Sequence, residues 1–428
     1  MSAKKKKRVC VIGLDGVPFH LLRELAAQGI MPATKKWVGC GNLRKMKASL
    51  PEISSVSWTS FMTGTNPGNH GIFGFTDLRD HSYQIRFPNF LDVKTLPIWD
   101  LLGRKGLKSI VINQPSTYPA RKIEGCLVSG FVAIELARAV YPLSHLAPLQ
   151  KMNYETDIDT VKARKDHEYL WSALDSTLAQ GQKVIEYFWN QDWDYFEYIV
   201  TGTDRLHHYL WNAYADSTHP HHPRFLDYYR KVDNLINCIV KKYEQLCDGI
   251  EGLYLLSDHG FTDIEREVHL NAYLQNAAYL KFDSAQPEHL ADLAPGTLAF
   301  ALDPSRIYLN LKGRFPRGVV DKADKASLKA EISAALKELD YQGRRVVRDV
   351  FDTEEIYSGP QTAKAPDLIV LAEPGFDLKG SLGKKDVFNI SDLKGMHTWD
   401  DAFFWSSKEH TGELVISDIA GSIMERFA

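Results

Sequence analysis

Short runs of uninterrupted apolar residues alternate along the chain with stretches whose apolar positions recur every three or four residues. The first pattern is that of a strand buried on both faces, the second that of a helix with one apolar side. Strands are predicted at residues 9–14, 108–113, 193–200 and 252–256, each rich in Val, Ile, Leu or aromatic side chains. Helices are predicted at residues 19–28, 97–104, 167–190 and, last, 416–427. Alternation of this kind predicts an α/β fold, a central and mostly parallel sheet with helices on both faces. From residue 264 to residue 387 the texture changes. Pro287, Pro295, Pro304, Pro316, Pro360 and Pro366 interrupt the pattern, while strand-like pieces survive at 305–311 and 367–371. This predicts a smaller α+β subdomain inserted as a cap over 264–387, with residues 8–263 and 388–428 forming the core.

Composition narrows the class. The chain has 428 residues, 44% of them hydrophobic and 25% charged, the balance of a globular protein, and its net charge of -3 points to no polyanionic partner. Nucleic acid polymers are therefore not expected to bind. The run Lys4 to Lys7 reads as a solvated leader, with a basic address or membrane tag as the alternative, and it passes directly into the strand at 9–14 and then Asp15-Gly16. That apolar stretch is too short for a signal-peptide core or a membrane span. Cys10, Cys40, Cys126, Cys238 and Cys247 are odd in number and have no C-x-x-C pair. No disulfide framework follows from such spacing, which suits a reducing, cytoplasmic setting. Cys10 and Cys126 lie in apolar runs and read as core residues.

Candidate chemistry gathers where strands end. Asp15, Asp204 and Asp258 each stand at or just beyond the C-terminal end of a predicted strand. In a parallel sheet those ends share one edge, the edge where ligands bind. Two of the three bring histidines. His208 follows Asp204 by four residues, so on a helix both side chains share a face, and His259 is adjacent to Asp258. His397, in Gly395-Met396-His397, falls in a predicted loop, and His207 is expected to pack or to support its neighbour. Each pair alone is also what an ordinary turn or helix start would show. Together, carboxylates and imidazoles in this mixture suit two divalent ions, zinc by preference with manganese possible.

A nucleophile is sought between Asp15 and Asp204. The segment Ser49-Leu-Pro-Glu-Ile-Ser54-Ser55-Val-Ser57-Trp-Thr-Ser-Phe-Met-Thr63-Gly64 offers several hydroxyls at the start of a short predicted helix. A helix N-terminus favours both an alkoxide and a phosphate, although Ser54 or Ser55 could equally serve as a plain N-cap.

These elements resemble, in order, the type I phosphodiesterase/nucleotide pyrophosphatase branch of the alkaline phosphatase superfamily. The resemblance rests on Val11-Ile-Gly-Leu-Asp15-Gly, the Ser-rich helix start leading into Thr-Gly-Thr-Asn-Pro-Gly-Asn-His-Gly, the Asp-x-x-x-His element, Ser257-Asp-His-Gly260 and Gly395-Met-His397. It extends from about Arg8 to the terminal helix. Ile98-Trp-Asp-Leu-Leu, Val268-His-Leu-Asn-Ala-Tyr-Leu and Ala365-Pro-Asp-Leu-Ile-Val look like elements of its bacterial and archaeal phosphohydrolase or phosphomutase group. The resemblance implies an alkaline-phosphatase-like fold and a small-molecule phosphate ester as substrate. It implies one metal held by Asp204, His208 and His397, and a second held by Asp15, Asp258 and His259. The family's nucleophile stands ten residues before the glycine of the Thr-Gly pair, which from Gly64 gives Ser54, with Ser55 next in line. Ser54 would then meet the second metal and form a phosphoseryl intermediate that water hydrolyses.

The sequence also departs from that pattern. Well-studied diesterases place an asparagine against phosphate where Ser57 stands here; Arg205 is expected in an exposed salt bridge and is otherwise a second candidate for reaching the substrate phosphate. His410 is a substitute metal ligand if His397 is not one. A sulfatase would need Cys/Ser-x-Pro-x-Arg, and Ser54-Ser-Val-Ser-Trp has neither the proline nor the arginine. A phosphomutase or phosphomonoesterase would use the same metals and serine, and a non-catalytic binder of phosphorylated ligands would keep only the fold.

Overall fold

The computed structural model describes residues 6–428, so two of the leader's four lysines, at positions 4 and 5, lie outside the described residues. The chain divides into two compact units, residues 1–65, 89–261 and 397–428 forming the first and residues 66–88 and 262–396 the second.

The first unit is built on an eight-stranded sheet. Its strands in chain order are β1 (Val9–Leu14), β2 (Asn42–Met46), β3 (Ser109–Gln114), β4 (Gly125–Ser129), β5 (Val140–Tyr141), β6 (Tyr195–Val200), β7 (Leu253–Leu256) and β8 (Ala402–Ser406). Across the sheet they run β2-β8-β7-β1-β6-β3-β4-β5. The five strands from β7 to β4 are parallel, and the antiparallel pairings of β8 and β5 close the sheet on either side. Alternate residues of β1 feed two separate cores. Cys10, Ile12 and Leu14 pack with the helices α1 (Phe19–Ala27), α3 (His167–Trp189) and α5 (His222–Cys247). Val9 and Val11 pack on the other face with α2 (Ser54–Thr63) and the terminal helix α6 (Ile419–Glu425). Helices therefore cover both faces, as the apolar runs predict, and each fully buried Val, Leu or Phe side chain contributes roughly 1.5–3 kcal/mol.

The sequence pattern located β1, β3, β6 and β7 to within two residues at each end. It did not place β8. The run Ala402-Phe-Phe-Trp-Ser406, for which no strand was predicted, is fully buried between β2 and β7. His397 likewise belongs to a short strand, Gly395–Thr398, where a loop was expected. Both assignments depend on partners distant in sequence, which no local period reports.

The second unit has its own core, in which Leu78 and Tyr83 join Phe300, Tyr308, Ile332 and Val370. A four-stranded sheet runs Ala299–Leu302, Arg306–Leu309, Leu368–Ala372, Val347–Asp352, all antiparallel. The helix Lys325–Lys337 and a three-stranded sheet complete an α+β unit. Among the described residues no helix is long and apolar enough to cross a membrane.

Candidate active site

Three adjacent parallel strands, β7, β1 and β6, deliver the three aspartates. Asp15 follows β1, with its amide donating to the Val200 carbonyl at the end of β6. Gly16 then turns with φ +66°, a conformation that suits glycine, and its amide donates to Asp258 Oδ1 at 3.0 Å. Asp204 lies in the first turn of α4 (Gly202–Ala215), the helix that follows β6. The carboxylates of Asp15, Asp204 and Asp258 are thus brought together at one sheet edge, all at most 1% exposed.

The histidines complete two overlapping candidate ligand sets. His208, one helical turn after Asp204, has Nε2 3.4 Å from Asp204 Oδ1, and His397 Nε2 is 3.3 Å from the same oxygen. The two Nε2 atoms are 3.1 Å apart. His397 Nδ1 donates to the Glu52 carbonyl at 2.9 Å, which leaves its Nε2 lone pair facing inward in the neutral ring. The second set is Asp15, Asp258 and His259, whose ligand atoms all lie within 4.8 Å of one another. His259 Nδ1 donates to the Gly260 carbonyl, and its Nε2 is 3.2 Å from Asp258 Oδ2 and 3.8 Å from Asp15 Oδ1. His259 is also within 4.8 Å of Asp204 and His397, so it stands between the two sets.

This donor set fits divalent cations. Asp204 Oδ1 and Asp258 Oδ2 are buried carboxylate oxygens without a hydrogen-bond donor, and three imidazole nitrogens converge on them. Native interiors rarely leave such atoms unpaired, and Asp/His sets of this geometry are those of transition-metal sites. The electrostatics agree. Burial, then the neighbouring Asp258 and Asp204 charges, raise Asp15 well above the usual carboxylate range, and burial raises Asp258 to about 7. Burial and His397 push His259 well down. Burial would raise Asp204 as well, but His208, His397 and Arg205 outweigh it and hold that carboxyl low.

Ser54 enters this cluster from α2. It is the first residue of the helix, and the N-cap position belongs to Ile53, so the Ser54 hydroxyl does not serve as the cap. Its Oγ lies 3.1 Å from Asp15 Oδ1 and 3.1 Å from His259 Nε2. Ser55 Oγ is buried without a hydrogen-bond partner. Ser57 is fully buried, and its Oγ accepts from the Ser49 amide at 3.3 Å. Arg205 directs Nη1 to Asp204 Oδ2 at 2.8 Å and the rest of its fork to Asp157. His410 pairs with Ser406 Oγ at 2.9 Å instead of joining the cluster.

Two supporting groups, Trp58 and Thr203, escape a reading of the sequence. Trp58 Nε1 donates to Asp15 Oδ2 at 3.0 Å, and only its position four residues after Ser54 hinted that both face the same way. Thr203 Oγ1 donates to the Asp15 carbonyl at 2.6 Å. His207 is buried away from the ligands, its Nδ1 donating to the Gly16 carbonyl and its Nε2 accepting from the Tyr229 hydroxyl, and burial lowers it to about 3.

Comparison with known proteins follows the same lines. The sequence matches the family described as Type I phosphodiesterase / nucleotide pyrophosphatase over residues 9–400. No curated protein matches it. Among solved structures, phosphonoacetate hydrolase from Sinorhizobium meliloti 1021 in complex with phosphonoacetate is similar over 99% of this chain and 96% of its own, with a TM-score of 0.66 at 15% identity. An inactive murine ectonucleotide pyrophosphatase / phosphodiesterase 5 in complex with AMP is similar over 98% and 95%, with a TM-score of 0.57 at 15% identity. The human ectonucleotide pyrophosphatase / phosphodiesterase 5 gives 98% and 94%, 0.56 and 14%. At these identities the likeness is one of fold.

Proposed function

Because the chain belongs to the type I phosphodiesterase / nucleotide pyrophosphatase family, and is thereby a hydrolase acting on phosphoric ester bonds, we propose that Ser54 is its nucleophile. We further propose that Asp204, His208 and His397 hold one divalent ion, and Asp15, Asp258 and His259 a second. The observation that carries this reading is the Ser54 oxygen, 3.1 Å from both Asp15 Oδ1 and His259 Nε2 at the first residue of a helix. When bound, such ions lower the cost of a serine alkoxide and of charge on the phosphoryl oxygens.

The chain's own residues supply the rest. Asp15 and His259 fix the serine oxygen in place, and the α2 N-terminus adds a positive dipole where a phosphate would sit. The Ser54 proton faces Asp15 Oδ1, and its departure leaves the oxygen to attack phosphorus. The bond from phosphorus to one ester oxygen breaks, the alcohol leaves with the proton the serine gave up, and water then attacks the serine-bound phosphoryl ester, releasing the remaining phosphate monoester and restoring the hydroxyl. Trp58 keeps Asp15 from turning, since its indole occupies the other carboxylate oxygen. Five free cysteines support a reducing, cytoplasmic setting. A small phosphate ester is the substrate class.

The test is to quench the zinc-loaded protein in acid during turnover of a labelled phosphodiester and to map the label. The labelled phosphoryl group, still carrying its second ester, is expected on Ser54, with about two equivalents of metal per chain. Steady turnover with no labelled serine, undiminished in chelator, would sink the reading.

A further inference from the structure

The two ligand sets differ in one neighbour. Arg205 stands beside Asp204, whereas among the described residues no Lys or Arg bonds Asp15 or Asp258. Its guanidinium is turned by three contacts. Nε and Nη2 donate to Asp157 Oδ1 and Oδ2 at 3.2 and 2.7 Å, and Nη1 donates to Asp204 Oδ2 at 2.8 Å. The plane also lies 4.6 Å from the Phe131 ring centre. Asp157 is itself anchored, its Oδ1 accepting the Ile158 amide at 2.8 Å, and Ile158 is buried.

The geometry has a consequence for Asp204. A guanidinium beside a carboxylate ordinarily takes both oxygens with its fork. Here the fork is occupied by Asp157, so Arg205 reaches Asp204 with one nitrogen and on one oxygen only. Asp204 Oδ1 is left without a donor, 3.4 Å from His208 Nε2 and 3.3 Å from His397 Nε2. Without Asp157 the fork would be free to close over both Asp204 oxygens, and a cation would have to compete with it. We infer that Asp157 and Arg205 are positioning residues: Asp157 holds the Arg205 fork off Asp204, so that Arg205 locks Oδ2 and presents Oδ1 to the ion of the Asp204, His208 and His397 set. This rests on the ligand sets proposed above.

The inference singles out one of two sites, which gives the experiment an internal control. Zn2+ alone is titrated into the full chain against a chromogenic chelator, with thermal unfolding of the chelated protein followed in parallel. Asp157→Asn should weaken one of the two sites by about tenfold or more and leave the other unchanged. Adding Arg205→Gln should restore part of the loss, because the loosened fork is then gone. If Asp157→Asn fails to fold, Arg205→Lys carries the same test, since it keeps the charge but cannot bond both carboxylates. Its expected result is again loss at one site alone. Two undisturbed sites, or equal weakening of both with no recovery in the double variant, would make the pair a plain structural strut and overturn the inference. A wild type that takes up two ions keeps the ligand-set reading even then, whereas one that takes up none overturns both.

Discussion

The two proposed ligand sets are a few ångströms apart yet solve the problem of burial differently. Asp15, Asp258 and His259 are entirely buried, and two carboxylates share that space with no Lys or Arg among the described residues bonded to either. Asp204 is as deeply buried but is hydrogen-bonded to Arg205 and faced by two imidazoles that are partly exposed. The first set is therefore held together at a cost that a cation would relieve, while the second is close to neutral without one. A buried carboxylate pair that lacks a partner protonates instead of remaining charged, which is why Asp15 and Asp258 shift up and Asp204 shifts down. Ser54 bonds to Asp15 and His259 of the first set, where a bound ion would help its oxygen most.

The largest test of this contrast is Ser54→Ala. Turnover of a phosphodiester should fall on the order of 10^4-fold or more, while zinc content and the circular dichroism spectrum stay those of the wild type. Retained turnover would remove Ser54 from the chemistry and leave the two sets without a functional difference.

Next comes Asp258→Asn, measured by denaturant unfolding in chelator. The Asp258 carboxyl is raised from 3.8 to about 7 in the fold, so its favourable contribution is complete below pH 4 and is lost as pH climbs through 7. Removing the charge should stabilise the metal-free protein at pH 8 by up to about 4 kcal/mol, at roughly 1.4 kcal/mol per pKa unit, with the gain fading toward pH 4. In saturating zinc the sign should reverse. A variant less stable than wild type in chelator at pH 8 would mean that the set carries no uncompensated charge.

Asp204→Asn should behave in the opposite way. Here the carboxylate is already paired, so the metal-free variant should lose about 1–3 kcal/mol, and stabilisation in chelator would erase the distinction between the sets. The smallest effect is expected at Ser55→Ala. Its hydroxyl is buried and unpartnered, so kcat should stay within a few-fold and stability within about 1 kcal/mol. A dead Ser55→Ala beside an active Ser54→Ala would move the nucleophile by one residue.

Much of this site could be read from the chain because its parts announce themselves locally. Apolar runs end in Asp15, Asp204 and Asp258, and the four-residue step to His208 is a helical turn. What was hidden depends on tertiary contact. Nothing near Asp157 says that a loop will carry it to Arg205. Trp58 reads as a core aromatic, and its bond to Asp15 exists only because Gly13 has no side chain. A Cβ at that position would lie 2.6 Å from the indole and 2.3 Å from Ile199. His397 looked like a loop residue because its strand is short and its neighbours come from far along the chain.

The position of β8 bears on how the protein is made. On the ribosome, β2 emerges early, and β7 follows once more than half the chain has been translated. In the main sheet β2 pairs with nothing but β8, and β8 is also the strand that covers the open side of β7. Until residues 402–406 leave the exit tunnel, the nascent chain carries an unclosed apolar edge beside the strand that bears Asp258. Such edges recruit other strands, and pairings this distant in sequence form slowly. A polypeptide released before residue 402 should accumulate with chaperones or in inclusion bodies, even though most of the proposed ligands would already be present in it.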